Sequence, residues 1–356
     1  MTISIINQLA EAGYDVVLFS SDVISQRKLK DMMGQKISPS VKIIMKPSSV
    51  LPRNFLDLHE NAIRLLTLKL KCNLVIDTYS NYIFPWSDVC YIHFPYLNDL
   101  MFKQHFPYLK GNRVCVTDVV NFPYIFVSKN IEKYDKKLIL VNSRFTSEAV
   151  KRFLGITSHV LYPPVSDSFL SCDFLTKKEE QRENIIVTIG RITADKRIEI
   201  IPEIAKKLCK IDASFYIIGF AHDPNILHKV NVTIEKFGLT KKIHILSDAS
   251  RKEIKTLLRR AKVYFHPPTI EHFGISIAEA MGQGCIPVVY EVGGAREFVP
   301  EEFRYATFQE ATDNVQKAII TWSLKEARRM NSIANRFSET HFRQNFMEIF
   351  EEHFRE

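Results

Sequence analysis

Short runs of β-branched and other apolar residues alternate with helical periodicity along the whole chain. The runs fall at residues 16–20, 41–46, 74–77, 89–93 and 138–142, then at 185–190, 215–219, 243–246, 263–266 and 286–290. Strands interleaved with helices in this rhythm predict an α/β protein with parallel sheets and crossover helices. Between the two sets, residues 167–184 carry the polar run Lys177, Lys178, Glu179, Glu180, Gln181, Arg182, Glu183. A first lobe over 1–168, a linker over 169–184 and a second lobe over 185–337 are therefore expected. The tail from 323 to 354 reads as two helices, and a break near Phe337 and Ser338 would let 338–356 return to the first lobe. One feature is unusual for a doubly wound lobe, which begins with a strand. This chain opens with an amphipathic helix on Ile3, Ile5, Ile6, Leu9 and Ala10, stopped at Gly13.

The bulk composition supports two globular lobes, since 356 residues with 46% hydrophobic and 25% charged content can bury sizeable cores. No apolar run approaches the ~20 residues of a membrane-spanning helix. Met1, Thr2, Ile3 and Ser4 offer neither a basic segment nor a small-residue cleavage site, so a cytoplasmic protein is expected. The six cysteines, at 72, 90, 115, 172, 209 and 285, have no metal-ligand spacing and read as reduced, mostly buried thiols. The eleven histidines form no H-E-x-x-H array, and a proline separates His222 from His228, so a metal site is not expected. Net charge is +8, and residues 1–168 hold 20 Lys and Arg against 14 Asp and Glu. That excess suits a phosphorylated lipid, an anionic membrane surface or a nucleic acid equally, and a solvated basic surface as well. Nucleic acid is not expected, because no surface on which basic and aromatic residues alternate can be identified.

The strongest chemical signal follows the fourth run of the second set: Glu271-His272-Phe273-Gly274-Ile275-Ser276-Ile277-Ala278-Glu279. Gly274 would open a helix whose first amides, on Gly274, Ile275 and Ser276, form a site for a diphosphate with the positive end of the helix dipole. Glu279 would lie one turn down, ~6 Å from the phosphates, a suitable offset for ribose hydroxyls. Glu271, ahead of the helix, would face the group on the far phosphate. A capped surface helix with two incidental glutamates is the bland alternative. Phe-Gly between the carboxylates, and Ala280-Met281-Gly282-Gln283-Gly284 after them, weigh against it. A second signal is a buried strand ending in Gly190 and Arg191, with Lys196 beyond. Both cations would project past the carboxyl end of a strand, where open α/β sheets bind ligands. A third is the tight turn at Gly293 and Gly294, which could equally be a plain β-α turn.

Together these residues resemble the donor lobe of retaining glycosyltransferase family 4, of GT-B fold: two Rossmann-like doubly wound lobes facing a cleft. In the first lobe, Tyr91-Ile92-His93-Phe94-Pro95, Val141 to Thr146 and Tyr162-Pro163-Pro164-Val165 match family-like positions in order. With the Glu271 segment, the Tyr-x-His-Phe-Pro stretch is similar to the α-1,2-mannosyltransferases that extend dolichol-linked oligosaccharides. The resemblance implies Arg191 and Lys196 on the donor phosphates, with Gly190 and Phe273 at the donor site beside them. It further implies Gly274, Ile275 and Ser276 as backbone donors, Glu279 on ribose, Glu271 on the transferred sugar, and His93 near the sugar and acceptor. A hydrogen-bonded structural histidine is the competing expectation for His93, and Asn142 and Ser143 are expected to cap the helix from Arg144.

The resemblance implies same-face substitution assisted by the leaving phosphate, with no protein nucleophile, unlike the paired carboxylates of retaining glycosidases. No Asp-x-Asp motif is present, so metal independence and no bound cofactor are expected. The expected partners are a nucleotide-diphosphate sugar, with GDP-mannose the first choice, a polyprenyl-diphosphate-linked or other glycosyl acceptor, and an anionic membrane surface on the inner face. Family members place a strand and a Gly-rich turn ahead of the helix that here starts at Met1. Either the first lobe is built differently, or that strand is encoded upstream of Met1. Two alternatives stay open: a non-catalytic nucleotide-sugar-binding subunit, and a GT-B-like nucleotide-sugar epimerase.

Overall fold

The computed structural model describes residues 1–20, 24–25, 29, 36–45, 62–95, 136–171 and 182–355. The chain divides into two compact units, Met1–Pro163 with Thr340–Glu356, and Pro164–Glu339.

The first unit starts with α1 (Thr2–Glu11), followed by a parallel pair of strands, β1 (Val17–Ser20) and β2 (Lys42–Met45). Helix α2 (residues 62–69) leads into a second sheet of β3 (Ile76–Asp77), β4 (Val89–Ile92), β5 (Leu138–Val141) and β6 (His159–Val160), parallel and in chain order. Helix α3 (Arg144–Leu154) joins β5 to β6; Ser143 Oγ caps it by accepting from the Thr146 amide at 3.1 Å, and Gly155 ends it in the left-handed conformation. Strands β4 and β5 are buried on both faces, so their side chains sort by parity. Val89, Tyr91, Leu138 and Leu140 pack with Ile5 and Leu9 of α1 and with Phe342, Phe346 and Phe350 of the last helix. Cys90, Ile92, Ile139 and Val141 pack on the other face with Val150 of α3. The C-terminal segment is thus an integral layer of the first unit.

The second unit begins earlier than expected. Val165 donates its amide to Phe337 O at 2.8 Å, and the short helix α4 (Asp167–Leu170) buries Phe169 and Leu170. Residues 164–168, assigned from sequence to the first lobe, therefore pack with the second, and the expected linker falls partly at 172–181, outside the described residues. The sheet comprises β7 (Glu183–Ile189), β8 (Ser214–Ile218), β9 (Ile243–Leu246), β10 (Ala261–His266), β11 (Ile286–Tyr290) and β12 (Arg304–Tyr305). Helices α5 (Ile201–Lys207), α6 (Pro224–Lys236), α7 (Arg251–Arg260), α8 (Ile275–Gly282) and α9 (Phe308–Thr321) alternate with the strands, then α10 (Leu324–Asn335) and α11 (Glu339–Phe354) close the chain. Strand order is β12-β11-β10-β7-β8-β9, all parallel. The chain runs outward from β7 through β8 and β9, then returns to lay β10 on the other side of β7. The connections leaving these two neighbouring strands run to opposite sides, and a topological switch point of this kind opens a crevice at the carboxyl ends of an open α/β sheet.

Candidate functional site

Glu271 and Lys196 meet at this switch point. Lys196 ends the single turn Ala194–Lys196 beyond β7, and Glu271 lies in the loop beyond β10. Lys196 Nζ donates to Glu271 Oε2 at 3.1 Å, and the last residue of β10, His266, reaches the same oxygen with Nε2 at 3.1 Å. Burial alone would push the Glu271 carboxyl up, but the bond from His266 and the charges of Lys196 and His272 hold it well below the usual carboxylate range. Burial lowers the His266 pKa against the pull of Glu271. The pair is thus a neutral imidazole donating Nε2–H to a carboxylate. His266 Nδ1 has no hydrogen-bond partner among the described residues, as suits the unprotonated nitrogen of that tautomer. Among the described residues no group bonds to Glu271 Oε1, so one oxygen is anchored and the other is left to a ligand.

The main chain at Glu271 is equally constrained. Gly294 donates its amide to Glu271 O at 2.7 Å, and Glu271 pairs with Gly293 in a parallel bridge. Gly293 has φ +112°, and a Cβ there would lie 3.0 Å from Glu271 N and closer still to Glu271 O. The Gly293-Gly294 turn therefore clamps the loop that carries Glu271. Gly274, at φ +97°, opens α8. The amides of Gly274, Ile275 and Ser276 donate to no described residue, which leaves the first turn of α8 free to bind an anion. Ser276 Oγ lies 2.8 Å from the Tyr264 hydroxyl, itself 3.2 Å from Ile189 O, so the start of α8 is tied to the end of β7.

Glu279 is buried on α8 and receives Arg251 Nη2 of α7 at 2.7 Å on Oε1. Burial raises its pKa, with Arg251 opposing. Gly190 leaves room for Lys196, whose alkyl chain would lie 3.7 Å from a Cβ there, and a Cβ on Gly219 would overlap Gly190 O, so the exits of β7 and β8 touch.

Three further expected site residues differ in their surroundings. Phe273 is only 2% exposed and its ring packs 5.2 Å from Phe298 and 5.1 Å from Phe337, so the side chain anchors the loop from the core. Arg191 is exposed and its side chain makes no hydrogen bond or ion pair with a described residue, so of the two cations only Lys196 is joined to Glu271. His93 belongs to a hydrogen-bonded set of the first unit. Its Nε2 lies 3.3 Å from Thr78 O, its amide donates to Asn81 Oδ1 at 2.7 Å, and Asn142 Nδ2 donates to its carbonyl at 2.9 Å. Asn142 thus braces His93 while Ser143 caps α3. Burial also lowers the His93 pKa.

His266 and Arg251 were not identified from sequence. A histidine ending an apolar strand was an available signal for the first, whereas Arg251 is one of several cations on its helix. A concavity of about 550 Å³ lies at the other end of this sheet, lined by Arg182, Asn184, Asp212, Lys262 and Trp322, away from these residues. Among the described residues no cluster of His, Cys, Asp and Glu suits a metal ion, and no helix is long and apolar enough to cross a membrane. Of the cysteines, Cys90 and Cys285 are buried and Cys209 is exposed; Cys115 and Cys172 lie outside the described residues.

The chain is 26% identical over 211 residues to a Neurospora crassa protein named GDP-Man:Man(3)GlcNAc(2)-PP-Dol alpha-1,2-mannosyltransferase, covering 54% of this chain and 38% of that protein. It is 22% identical over 291 residues to the Dictyostelium discoideum protein of the same name, covering 72% and 57%. It is also 28% identical over 143 residues to the GPI3 subunit of phosphatidylinositol N-acetylglucosaminyltransferase from Saccharomyces cerevisiae, covering 40% and 31%. The chain thus spans less than two thirds of the length of these relatives. Among solved structures, WaaG, a glycosyltransferase involved in lipopolysaccharide biosynthesis, superposes with a TM-score of 0.74 at 12% identity over 98% of this chain and 94% of that one. A Rickettsia africae glycosyltransferase gives 0.70 at 17% identity over 99% and 93%. The fold is that of GT-B glycosyltransferases. Residues 174–339, which hold every site residue found in the second unit, match the family model Glycosyl transferases group 1.

Proposed function

We propose that the chain is a retaining glycosyltransferase that transfers mannose from GDP-mannose to a lipid-linked glycan. The observation that carries the transferase reading is the Glu271 carboxylate, fixed through one oxygen by Lys196 and His266 and through its backbone by Gly293 and Gly294. Its other oxygen suits a hydroxyl of the transferred sugar. Lys196, Arg191 and the first amides of α8 would neutralise the leaving diphosphate, and positioned donors aimed at developing charge supply the main catalytic term in such reactions. Glu279 would accept from ribose. His93 would contact the acceptor.

Mannose and a dolichol-linked acceptor are favoured by the names of the Neurospora and Dictyostelium relatives. The yeast relative favours a second donor, an N-acetylglucosamine nucleotide. With cationic side chains and helix amides on the phosphates, the reaction needs no divalent metal, and EDTA is expected to leave turnover unchanged.

The deciding experiment incubates the chain with GDP-mannose, UDP-N-acetylglucosamine and UDP-glucose, with and without a polyprenyl-diphosphate-linked glycan. Transfer from GDP-mannose with retained anomeric configuration is expected. Transfer from a UDP-sugar would overturn the donor assignment, an inverted product would overturn the retaining mechanism, and saturable donor binding without turnover would establish a nucleotide-sugar-binding subunit instead.

A further inference from the structure

Arg251 opens α7, outside all three sequence signals, yet it bonds to the buried carboxylate of Glu279 at 2.7 Å. Its guanidinium carbon also lies over the ring of Phe169, 4.3 Å from the centroid. Phe169 is buried on α4 and is itself fixed. Gln283 Nε2 donates to Phe169 O at 2.5 Å, and Asn331 Nδ2 donates both to Leu170 O at 2.9 Å and to Gly282 O at 2.6 Å. A Cβ on Gly282 would overlap Phe169 O, so α4 lies directly against the end of α8. The guanidinium is therefore held on its face by a ring and at its edge by a carboxylate, the geometry for which arginine is suited and lysine is not. No described residue bonds to the second oxygen of Glu279.

Building on the nucleotide site described above, we propose that Arg251 is a positioning residue for ribose recognition. It occupies Glu279 Oε1 and so leaves Oε2 to accept from a ribose hydroxyl of a nucleoside diphosphate. Phe169, which precedes residues 174–339, takes part through Arg251. Burial works against the ionised form of Glu279, and Arg251 is the cation that opposes it. Without Arg251 the carboxyl can protonate and rotate, and it loses its preference for a hydroxyl donor.

The test compares binding of GDP with 2′-deoxy-GDP, and of UDP with 2′-deoxy-UDP, to the full chain and its variants, alongside thermal unfolding without nucleotide. A hydrogen bond to a charged group makes the wild type expected to favour the ribonucleotide by roughly 10- to 100-fold. Arg251→Gln and Arg251→Ala are expected to bind both forms of each nucleotide equally, and Arg251→Lys to recover part of the difference. A merely structural role would weaken both forms alike and leave their ratio untouched. Should the Arg251 variants not fold, Phe169→Leu, which keeps an apolar core residue but removes the ring, is expected to shrink the same ratio. Wild-type discrimination retained in these variants would overturn the role of Arg251. No discrimination in the wild type, against the 2′-deoxy form or against the 3′-deoxy form measured beside it, would instead remove Glu279 from ribose, and the present inference with it.

Discussion

Lys196 Nζ and Glu271 Oε2 lie 3.1 Å apart across 75 residues of chain, because the strands that precede them, β7 and β10, are neighbours at the switch point of the second sheet. The carboxylate holds the cation. A bound diphosphate would offer Lys196 a second anion close by. Lys196→Ala is expected to weaken nucleoside diphosphate binding by roughly 10- to 100-fold, the usual range for a hydrogen bond to a charged group. Isothermal titration with GDP and UDP measures it, and unchanged affinity would remove Lys196 from the phosphate site.

The neutral state of His266 gives a pH dependence with a definite sign. In the unfolded chain an imidazole titrates near 6.5. Its folded pKa is lower, so between the two values the unfolded chain carries a proton that the folded chain does not. Stability is then fully present above about pH 6.5 and falls as the solution is acidified through that window. Glu271, also depressed, adds a loss of the same sign only at more acid pH. Urea midpoints taken between pH 7.5 and 5 are expected to fall for the wild type and to fall less for His266→Gln. Because burial also lowers the His93 pKa, the difference between the two proteins isolates His266. Identical slopes would mean that His266 titrates as it does in the unfolded chain.

Gly293 permits the clamp on Glu271. An alanine there would have to keep a backbone of φ +112° and fit its Cβ against Glu271 N and O. Left-handed strain of this kind costs about 1–3 kcal/mol per residue. Gly293→Ala is expected to lower stability by about that amount and to reduce transfer far more than nucleotide binding, since Glu271 moves while the first amides of α8 stay. Equal losses of both would place the effect on folding alone.

Much of the fold was legible because its strands are short, parallel and mostly apolar, and the central ones of each main sheet are buried. The first run of the second set, expected at 185–190, is β7 at Glu183–Ile189, and the run expected at 243–246 is β9 itself. Strands β6 and β12 have two residues each and, unlike the two-residue β3 in the run 74–77, lie within no extended apolar run that would mark them. The boundary falls earlier than the charged run suggests, because apolar Phe169 and Leu170 decide where that segment packs. At the site, Glu271 and Glu279 stood out because a glycine-started helix fixes their separation. Phe273 shows the limit of adjacency: it sits between Glu271 and Gly274 in sequence, yet its side chain turns into the core against Phe298 and Phe337. Arg251 was invisible because its partner Glu279 lies 28 residues further along, on another helix.

The most direct test of the central claim is Glu271→Gln, which keeps the shape of the side chain and removes its charge. Transfer from each sugar nucleotide that the wild type uses is measured beside GDP and UDP affinity. Turnover is expected to fall by about 100-fold or more, within the range for loss of one charged transition-state contact, while nucleoside diphosphate affinity changes only a few-fold. Wild-type turnover in Glu271→Gln would contradict the account, because the best-anchored carboxylate of the site would then have no part in handling the sugar.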